Sequence, residues 1–412
     1  MAERIIFHID VNSAFLSWTA AYRCRVLGES FDLREVPSVI AGQKDSRRSI
    51  VLAKSTSAKK YGIKTGEPLG MARDKCPDLV VAEPDYELFI SASRALMALL
   101  RDVSPVVEQF SIDEAWVDMT GTERLYGSPV FAAHWLKEKI KQELGFTVNI
   151  GVSSNKMLAK MAGELEKPDK VLTLFPWEIE EKLWPLPVGE LFYVGRASER
   201  KLRQMGIRTI GQLAHADVDV LKKKLHKHGE TIWHLANGRN TGPLQPVMPQ
   251  NKGYGNAMTT PWDVTELVYA QQVLLCLCET VSVRMRRDGQ TGRCVSLQLR
   301  TSNFENVSCQ RQLTSATNGT VEIYQTACSI LEDVWDKKTP LRQLGVQLSK
   351  VSCDPYRQYS MFDKRYERLG RLDAVVDGIR DKYGEDAIRR ASVLSFDNPR
   401  KGAQSVAFHV KL

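Results

Sequence analysis

The stretch VVEQFSIDEAWVDMT, residues 106–120, contains two strand-like runs separated by a polar turn. The runs cover residues 106–110 and 115–119, and the turn covers residues 111–114. Two such runs joined by a short polar segment predict a β-hairpin. Because the turn carries two adjacent carboxylates, the hairpin would present both of them at one edge of a sheet.

Strands and helices are predicted on both sides of this hairpin. Before it, an apolar run ending in a carboxylate predicts a strand, and helical periodicity predicts helices. After it come a helix, a strand and a second helical segment. In chain order these flanking elements cover residues 4–10, 14–22, 85–102, 129–144, 147–152 and 155–168. The order β-helix-β-β-helix-β predicts an α+β domain with a ferredoxin-like sheet.

The rest of the chain predicts further units. Residues 46–54 predict a strand, and residues 55–61 predict a helix that Gly62 ends. Residues 168–240 predict short helices joined by turns, and residues 241–255, rich in proline, glycine and amides, predict a linker. A second α+β domain and a final charged helix are predicted downstream. Its helices cover 267–287 and 321–336, its strands cover 294–301 and 346–351, and the charged helix lies near 370–391.

Length and composition indicate a globular protein of several domains. The 412 residues correspond to two to four domains, and 43% hydrophobic with 26% charged residues is ordinary globular composition. The sequence has no apolar run of about 18 residues, as a membrane helix needs, and its first apolar run is too short for a signal peptide. The eight cysteines include no Cys-x-x-Cys pair, which leaves a zinc ribbon without support. We therefore expect a cytoplasmic protein.

The net charge of +8 is distributed unevenly. Residues 1–167 carry 22 basic and 22 acidic side chains, so the surplus lies in the residues that follow. A polyanion partner for that part is one interpretation. The other is the mild basicity common among bacterial and archaeal proteins.

Three carboxylates stand out at predicted strand ends. Asp10 ends the first strand, and Asp113 and Glu114 lie in the hairpin turn. If these strands are neighbours, the carboxylates converge at one edge, where their repulsion calls for a cation. Carboxylate oxygens suit Mg²⁺, which binds them together with substrate phosphates. The alternative is a solvated turn and a simple cap at Asp10, and the spacing by itself leaves both open.

Four motifs follow one another in a fixed order. DVNSAF (10–15) and SIDEAWVDMT (111–120) are acidic, GVSSNKMLAKMAGELEKPDK (151–170) follows them, and AKKYGIKTGEPL (58–69) lies between the first two. Together they resemble the Y-family DNA polymerases, the translesion enzymes of the DinB/UmuC group. The resemblance extends from residue 4 to about residue 353.

The resemblance implies an α+β multidomain right hand with a ferredoxin-like palm, small fingers, a helical thumb and an α+β little finger. The implied division is palm 1–19 and 75–167, fingers 20–74, thumb 168–240, linker 241–255, little finger 256–353 and tail 354–412.

The resemblance also implies a site for two Mg²⁺ ions. Asp10, Asp113 and Glu114 match the carboxylates that bind the ions and are catalytic in the family, and the backbone carbonyl of Val11 matches a further ligand. Removal of either aspartate would then abolish turnover. Such a site adds a deoxynucleotide to a primer 3′-hydroxyl.

The implied nucleotide site involves six positions. Phe15 matches the steric gate that leaves no room for a 2′-hydroxyl, and Lys59 and Lys167 match basic positions that hold the triphosphate. The sequence departs from many relatives at several of them, since Lys59 replaces an arginine, Thr56 a tyrosine and Ala14 an aromatic residue. The nucleotide-binding residues implied are therefore Ser13, Ala14, Phe15, Thr56, Lys59 and Lys167.

The resemblance further implies DNA contacts in the thumb and little finger. Residues 193–213 resemble a helix-hairpin-helix, in which Tyr193 replaces the first hairpin glycine and Gly195 remains. Backbone N–H groups there would bind a DNA phosphate. The DNA-binding residues implied are Gly195, Arg196, Arg284, Arg286, Arg293 and Arg300.

The tail contains QYSMF, which resembles the short peptide that bacterial polymerases insert into the sliding clamp. Gln358, Met361 and Phe362 would be its anchors.

The expected function is error-prone, template-directed translesion synthesis without proofreading, by a monomer that binds primer-template DNA, dNTP and the clamp near the nucleoid and has no membrane contact. The alternatives are a non-catalytic DNA- or clamp-binding scaffold and a nucleotidyl cyclase with a palm-like domain.

Overall fold

The computed structural model of the chain describes residues 4–42, 49–239, 242–246, 250–353 and 365–393. The chain forms two compact units, one before residue 247 and one after residue 249. In the described ranges, no helix is both long and apolar enough to cross a membrane.

The first unit alternates short strands with helices. Its strands are β1 (Ile6–Val11), β2 (Ser38–Ala41), β3 (Val51–Lys54), β4 (Val80–Ala82), β5 (Val107–Gln109), β6 (Glu114–Asp118), β7 (Val148–Ser153) and β8 (Val171–Thr173). Its helices are α1 (Ala14–Arg25), α2 (Thr56–Lys60), α3 (Leu69–Lys75), α4 (Tyr86–Val103), α5 (Glu123–Tyr126), α6 (Pro129–Leu144), α7 (Lys156–Leu165), α8 (Arg196–Gln204), α9 (Ile210–Ala214), α10 (Val218–Leu225) and α11 (Lys227–Ala236).

The larger sheet of this unit, here called the palm sheet, has the order β5-β6-β1-β7-β8. Strands β5 and β6 form the predicted hairpin, and β1 lies antiparallel between β6 and β7. This is the strand order of a ferredoxin-like sheet with β8 added at the edge. On one face, Phe7, Ile9 and Val11 of β1 pack into a core with α1, α4 and α6.

Helix α7 lies unusually close to the palm sheet because two glycines face each other. A Cβ atom on Gly151 of β7 would lie 1.9 Å from the carbonyl oxygen of Ala159 and 2.5 Å from the amide nitrogen of Gly163, both in α7. Only glycine at position 151 permits this approach. The close contact fixes α7 relative to β1 and β6.

The remaining helices of the first unit form two smaller cores. Strands β3, β2 and β4 make a small sheet that packs with α2 and α3. Helix α2 begins where the Ser55 side chain accepts a hydrogen bond from the Ala58 amide, and Gly62 follows it at φ 73°. The strand predicted over 46–54 corresponds to β3, which begins only at Val51. Residues 43–48 lie outside the described ranges. Helices α8 to α11 share an apolar core with Met157, Leu158 and Met161 of α7.

The second unit is a sheet covered by helices on one face. It consists of β9 (Gly253–Val264), α12 (Leu267–Arg287), β10 (Thr291–Thr301), β11 (Asn306–Thr317), α13 (Thr320–Val334), β12 (Leu341–Ser352) and α14 (Arg365–Tyr383), with a final 3₁₀ turn at Ala391–Val393. The strand order is β11-β10-β12-β9. Helices α12 and α13 pack on Leu297, Leu299 and Val346 of the sheet.

Two predictions for this unit were wrong in their bounds. Strand β9 begins inside the predicted linker 241–255, and the charged helix ends at Tyr383, well before residue 391. Gly384, at φ 95°, follows that helix. The sequence did not predict β11, since as an edge strand with mostly exposed side chains it lacks the apolar alternation of a half-buried strand.

We expect Gly151→Ala to destabilise the first unit by about 3 kcal/mol, because the new methyl group overlaps the α7 backbone. Thermal unfolding of the full chain measures this. Gly195→Ala is the control, since a Cβ there meets nothing within 4 Å. Equal melting temperatures for both variants would contradict the close packing of α7.

Candidate active site

Strand pairing brings two of the predicted carboxylates together. Asp10 of β1 lies directly opposite Glu114 of β6 in the antiparallel register. The Val11 amide donates a hydrogen bond to the Asp113 carbonyl at 3.1 Å, which joins the end of β1 to the hairpin turn. Paired residues of neighbouring strands share a face of the sheet, so the Asp10 and Glu114 side chains lie side by side on the face that α7 covers.

Asp10 is nearly buried and is held by a lysine. Its Oδ2 atom lies 2.5 Å from Nζ of Lys167, which also contacts Oε1 of Glu164 at 2.8 Å. Burial raises the pKa of Asp10 to about 6, although the charge of Lys167 opposes the shift. Burial alone would lower the pKa of Lys167, but the Asp10 carboxylate outweighs it and the pKa rises.

Glu114 lies in a different electrostatic environment. Its Oε2 atom lies 2.5 Å from Nζ of Lys160 and 3.3 Å from Nε2 of His8. Burial would raise the pKa of Glu114, but the hydrogen bonds from His8 and Lys160 lower it to about 2. Burial lowers the pKa of His8. Because an ionised carboxylate can only accept hydrogen bonds, the His8 ring donates to Glu114 through Nε2–H.

The third carboxylate is fixed by its own turn. The Ser111 hydroxyl donates to Oδ1 of Asp113 at 2.6 Å, and the Asp113 amide donates back to that hydroxyl at 3.3 Å. Among the described residues, no group of three His, Cys, Asp or Glu side chains is arranged to hold a metal. In this arrangement Lys167 forms an ion pair with Asp10, and Lys160 forms one with Glu114.

The donor chemistry nevertheless fits a hard divalent cation. Asp10, Asp113 and Glu114 offer only oxygen ligands, and Mg²⁺ prefers such ligands. The raised pKa of Asp10 means that its buried charge is incompletely compensated, which a nearby cation would correct.

Phe15 and its neighbours lie at the start of α1. Ser13 precedes the helix in the left-handed region at φ 52°, and Ala14 is buried. The ring of Phe15 stacks on Phe89 with a centroid distance of 4.4 Å. Because Phe89 is fully buried, it holds the Phe15 ring in place.

Comparison with known proteins identifies the chain. The profile of the impB/mucB/samB family matches residues 9–164, and that of its C-terminal domain matches residues 251–361. A DNA polymerase-iota thumb domain profile matches residues 190–239. The chain is 45% identical to DNA polymerase IV of Clostridium acetobutylicum over 95% of its own length and 98% of that protein.

The chain belongs to the Y-family of DNA polymerases. It is also 34% identical to DNA polymerase IV 2 of Bacillus subtilis, with 96% of both chains covered. A solved Y-family DNA polymerase chimera, 20% identical, has the same fold with a TM-score of 0.71 over 84% of this chain and 99% of the chimera.

The other residues implied for nucleotide binding, and those implied for DNA binding in the first unit, lie on separate elements. Thr56 and Lys59 are exposed on α2, and Lys167 follows α7. Gly195 directly precedes α8 and Arg196 begins it, and both are exposed.

The four arginines of the second unit that are implied for DNA binding lie on different elements. Arg293 is exposed on β10, and Arg300 lies on β10 with its guanidinium 5.0 Å from the Phe304 ring. Arg284 and Arg286 instead lie on α12, which packs on the opposite face of the sheet from Arg300. Arg284 and Arg286 thus lie on the helix predicted over 267–287 and not on the sheet face that carries Arg300.

Arg286 has a structural role. Its guanidinium donates to Asp377 at 2.6 and 2.9 Å and to Asp373 at 3.2 Å, and these contacts tie α14 to α12. Buried Glu279 of α12 forms ion pairs with Arg380 of α14 and with Arg390, which follows that helix. We therefore leave Arg284 and Arg286 out of the proposed DNA contacts. Gln358, Met361 and Phe362, which the resemblance implies as clamp-binding residues, lie outside the described ranges.

The sequence analysis missed His8, Lys160 and Glu164. His8 lies two residues before Asp10 and therefore on the same face of β1. Lys160 and Glu164 lie four residues apart on α7, a spacing typical of one helix face. Both spacings are visible in the sequence, but only the packing of α7 on the palm sheet makes them meaningful.

Asp10 makes the metal-free chain less stable as pH rises. Its folded-state pKa of about 6 exceeds the ordinary 3.8, so the folded chain holds the proton more tightly. The raised pKa therefore stabilises the folded chain fully below pH 3.8, and this stabilisation is lost as the pH rises through 6. Between pH 5 and pH 8 the loss in the free energy of unfolding amounts to about 1.4 kcal/mol. Asp10→Asn removes this dependence.

We expect the difference in free energy of unfolding, Asp10→Asn minus the parent chain, to increase by about 1.4 kcal/mol from pH 5 to pH 8. Both proteins are measured in buffer that contains a metal chelator. Chemical denaturation at both pH values measures it. Asp102→Asn, on the exposed side of α4, controls for the loss of one carboxylate. A difference that is independent of pH would contradict the raised pKa.

Proposed function

We propose that this chain extends a primer 3′-hydroxyl with deoxynucleotides on a DNA template, including damaged templates, without proofreading. The observation that carries the proposal is the pairing of Asp10 with Glu114 inside the segment that matches the polymerase family. Relatives that match over nearly the full chain are named DNA polymerase IV. A scaffold would have no need for a buried and a half-buried carboxylate at paired positions. A cyclase would have no need for the thumb.

Asp10, Asp113 and Glu114, with the Val11 carbonyl, would hold two Mg²⁺ ions. When bound, the ions would activate the 3′-hydroxyl and neutralise charge on the phosphates. Lys167 contributes the ammonium beside Asp10, and its partly exposed side chain can also reach a triphosphate oxygen. Thr56 and Lys59 on α2 supply further polar groups for the triphosphate.

Phe15 would exclude ribonucleotides. Its ring is fixed by stacking on Phe89, so it cannot easily swing away from a 2′-hydroxyl. Ser13 and Ala14 precede it at the β1–α1 turn, where Ala14 adds little bulk beside the sugar.

DNA would be held through its phosphates. Gly195 and Arg196 present the N-terminus of α8, whose free N–H groups suit a phosphate. In the second unit, one face of the sheet is polar around Arg300, which pairs with Asn306 and Gln343, and Arg293 is exposed on the same strand. These groups position a duplex without reading its sequence.

The tail residues Gln358, Met361 and Phe362 would bind the sliding clamp. The sequence alone supports this part of the proposal. A monomer working in the cytoplasm near the nucleoid fits an enzyme whose substrates are DNA and dNTP.

Primer extension with Mg²⁺ tests the activity. We expect Asp113→Ala to lose at least roughly 1,000-fold in rate, because a ligand worth several kcal/mol in the transition state is removed. The parent chain should extend primers on undamaged templates and past a lesion. Asp102→Ala is the matched control.

Near-parental extension by Asp113→Ala would contradict the assignment. Product without primer would favour the cyclase, and DNA binding without any extension by the parent chain would favour the scaffold.

Sugar selection is tested by Phe15→Ala. We expect the preference for dNTP over rNTP, measured as a ratio of kcat/KM values, to fall at least roughly tenfold because the space beneath C2′ opens. Phe131→Ala, an exposed ring on α6, is the control. A lower rate with an unchanged ratio would show that Phe15 only supports the core.

A further inference from the structure

Lys160 of α7 forms an ion pair with Glu114 of β6. The Lys160 side chain is nearly buried, with 7% of the residue exposed, and its ammonium lies 2.5 Å from Oε2 of Glu114. His8 donates to the same oxygen. Two donors on one oxygen fix the orientation of the carboxylate and direct its other oxygen, Oε1, away from them.

The same ammonium lies against two aromatic rings. It is 5.3 Å from the centroid of Phe110 and 5.1 Å from that of Phe192, and the two rings meet edge to face at 6.0 Å. Such distances are typical of cation–π contacts. Phe110 immediately precedes the hairpin turn, whereas Phe192 lies three residues before Gly195, the proposed phosphate contact in the thumb.

We propose that Lys160 is a positioning residue that orients Glu114 for the metal ions and couples this orientation to the thumb through Phe192. The proposal rests on the proposed function of the Asp10–Glu114 site. A phosphate bound at Gly195 and Arg196 restrains the segment that carries Phe192, and Phe192 in turn restrains the ammonium. DNA binding in the thumb thereby stabilises the productive orientation of Glu114.

A merely structural lysine would behave differently. If Lys160 only neutralised a buried carboxylate, its removal would leave Glu114 more negative and the site would bind a divalent cation more tightly. If Lys160 positions Glu114, its removal lets the carboxylate rotate and the cation binds more weakly. The sign of the change in metal affinity therefore distinguishes the two roles.

The chain contains a matched control on the same helix. Lys156, one turn before Lys160, contacts both oxygens of Glu108 at 3.0 and 3.1 Å and lies 5.3 Å from the Trp116 ring. It repeats the combination of carboxylate and aromatic ring, but Glu108 is not part of the proposed metal site. Lys156→Met therefore removes an equivalent ion pair without touching Glu114.

The first experiment measures Mn²⁺ affinity of the full chain by electron paramagnetic resonance, alongside single-turnover primer extension. We expect Lys160→Met to lose roughly 10–100-fold in rate and to bind Mn²⁺ more weakly, as for other partners of metal ligands. Lys160→Arg, which can still donate to Oε2, should recover most of both. Lys156→Met should leave both near the parental values.

Tighter Mn²⁺ binding by Lys160→Met would overturn the proposal, as would a loss in Lys156→Met equal to that in Lys160→Met. The Mn²⁺ measurement needs no polymerase activity. A parent chain that fails to extend primers, while Lys160→Met still weakens Mn²⁺ binding, would therefore reject the proposed function and keep the positioning role.

The second experiment tests the coupling to the thumb. We expect Phe192→Leu to slow extension roughly threefold to tenfold in the parent chain, the range of one cation–π contact, and to have no further effect in Lys160→Met. Phe131→Leu is the control ring. Equal effects of Phe192→Leu in both backgrounds would overturn the coupling.

Discussion

The structure depends on compensating the negative charges of two carboxylates that strand pairing places side by side. Asp10 and Glu114 occupy opposite positions of β1 and β6, so neither can be moved without changing the register of the sheet. A buried carboxylate beside a half-buried one is costly unless cations lie next to them. Lys160 and Lys167 provide those cations, and both belong to the segment formed by α7 and its C-terminal extension.

Helix α7 therefore packs against two parts of the first unit, the palm sheet and the helices α8 to α11. One face must come close enough to the palm sheet for Lys160 to reach Glu114, and Gly151 opposite Gly163 permits this approach. Another face carries Met157 and Met161 into the core shared with α8 to α11. Because α7 is one short helix that contacts both the palm sheet and α8 to α11, the position of these thumb helices affects the position of Lys160.

Much of the fold could be predicted from the sequence because its elements carry strong local patterns. Helix α6 was predicted with its observed bounds, since Ser128 caps its start and Gly145 ends it in the left-handed conformation. The hairpin and helix α12 were predicted equally well. Strand β11 was missed because an exposed edge strand needs no apolar alternation. Arg286 was assigned to DNA because a sequence does not show that two aspartates, some ninety residues later, pair with it.

The candidate site shows the same division between local and long-range information. The motifs identified the carboxylates, but the different states of Asp10 and Glu114 arise only from tertiary contacts. Glu114, with two donors on one oxygen, has a pKa of about 2 and is ionised and oriented before any ligand arrives. Asp10, with a pKa of about 6, retains an incompletely compensated charge. Two carboxylates whose environments separate their pKa values are typical of catalytic sites. In this chain, a bound cation would stabilise the ionised form of Asp10 more than that of Glu114. Glu114 would contribute a carboxylate whose orientation His8 and Lys160 already fix.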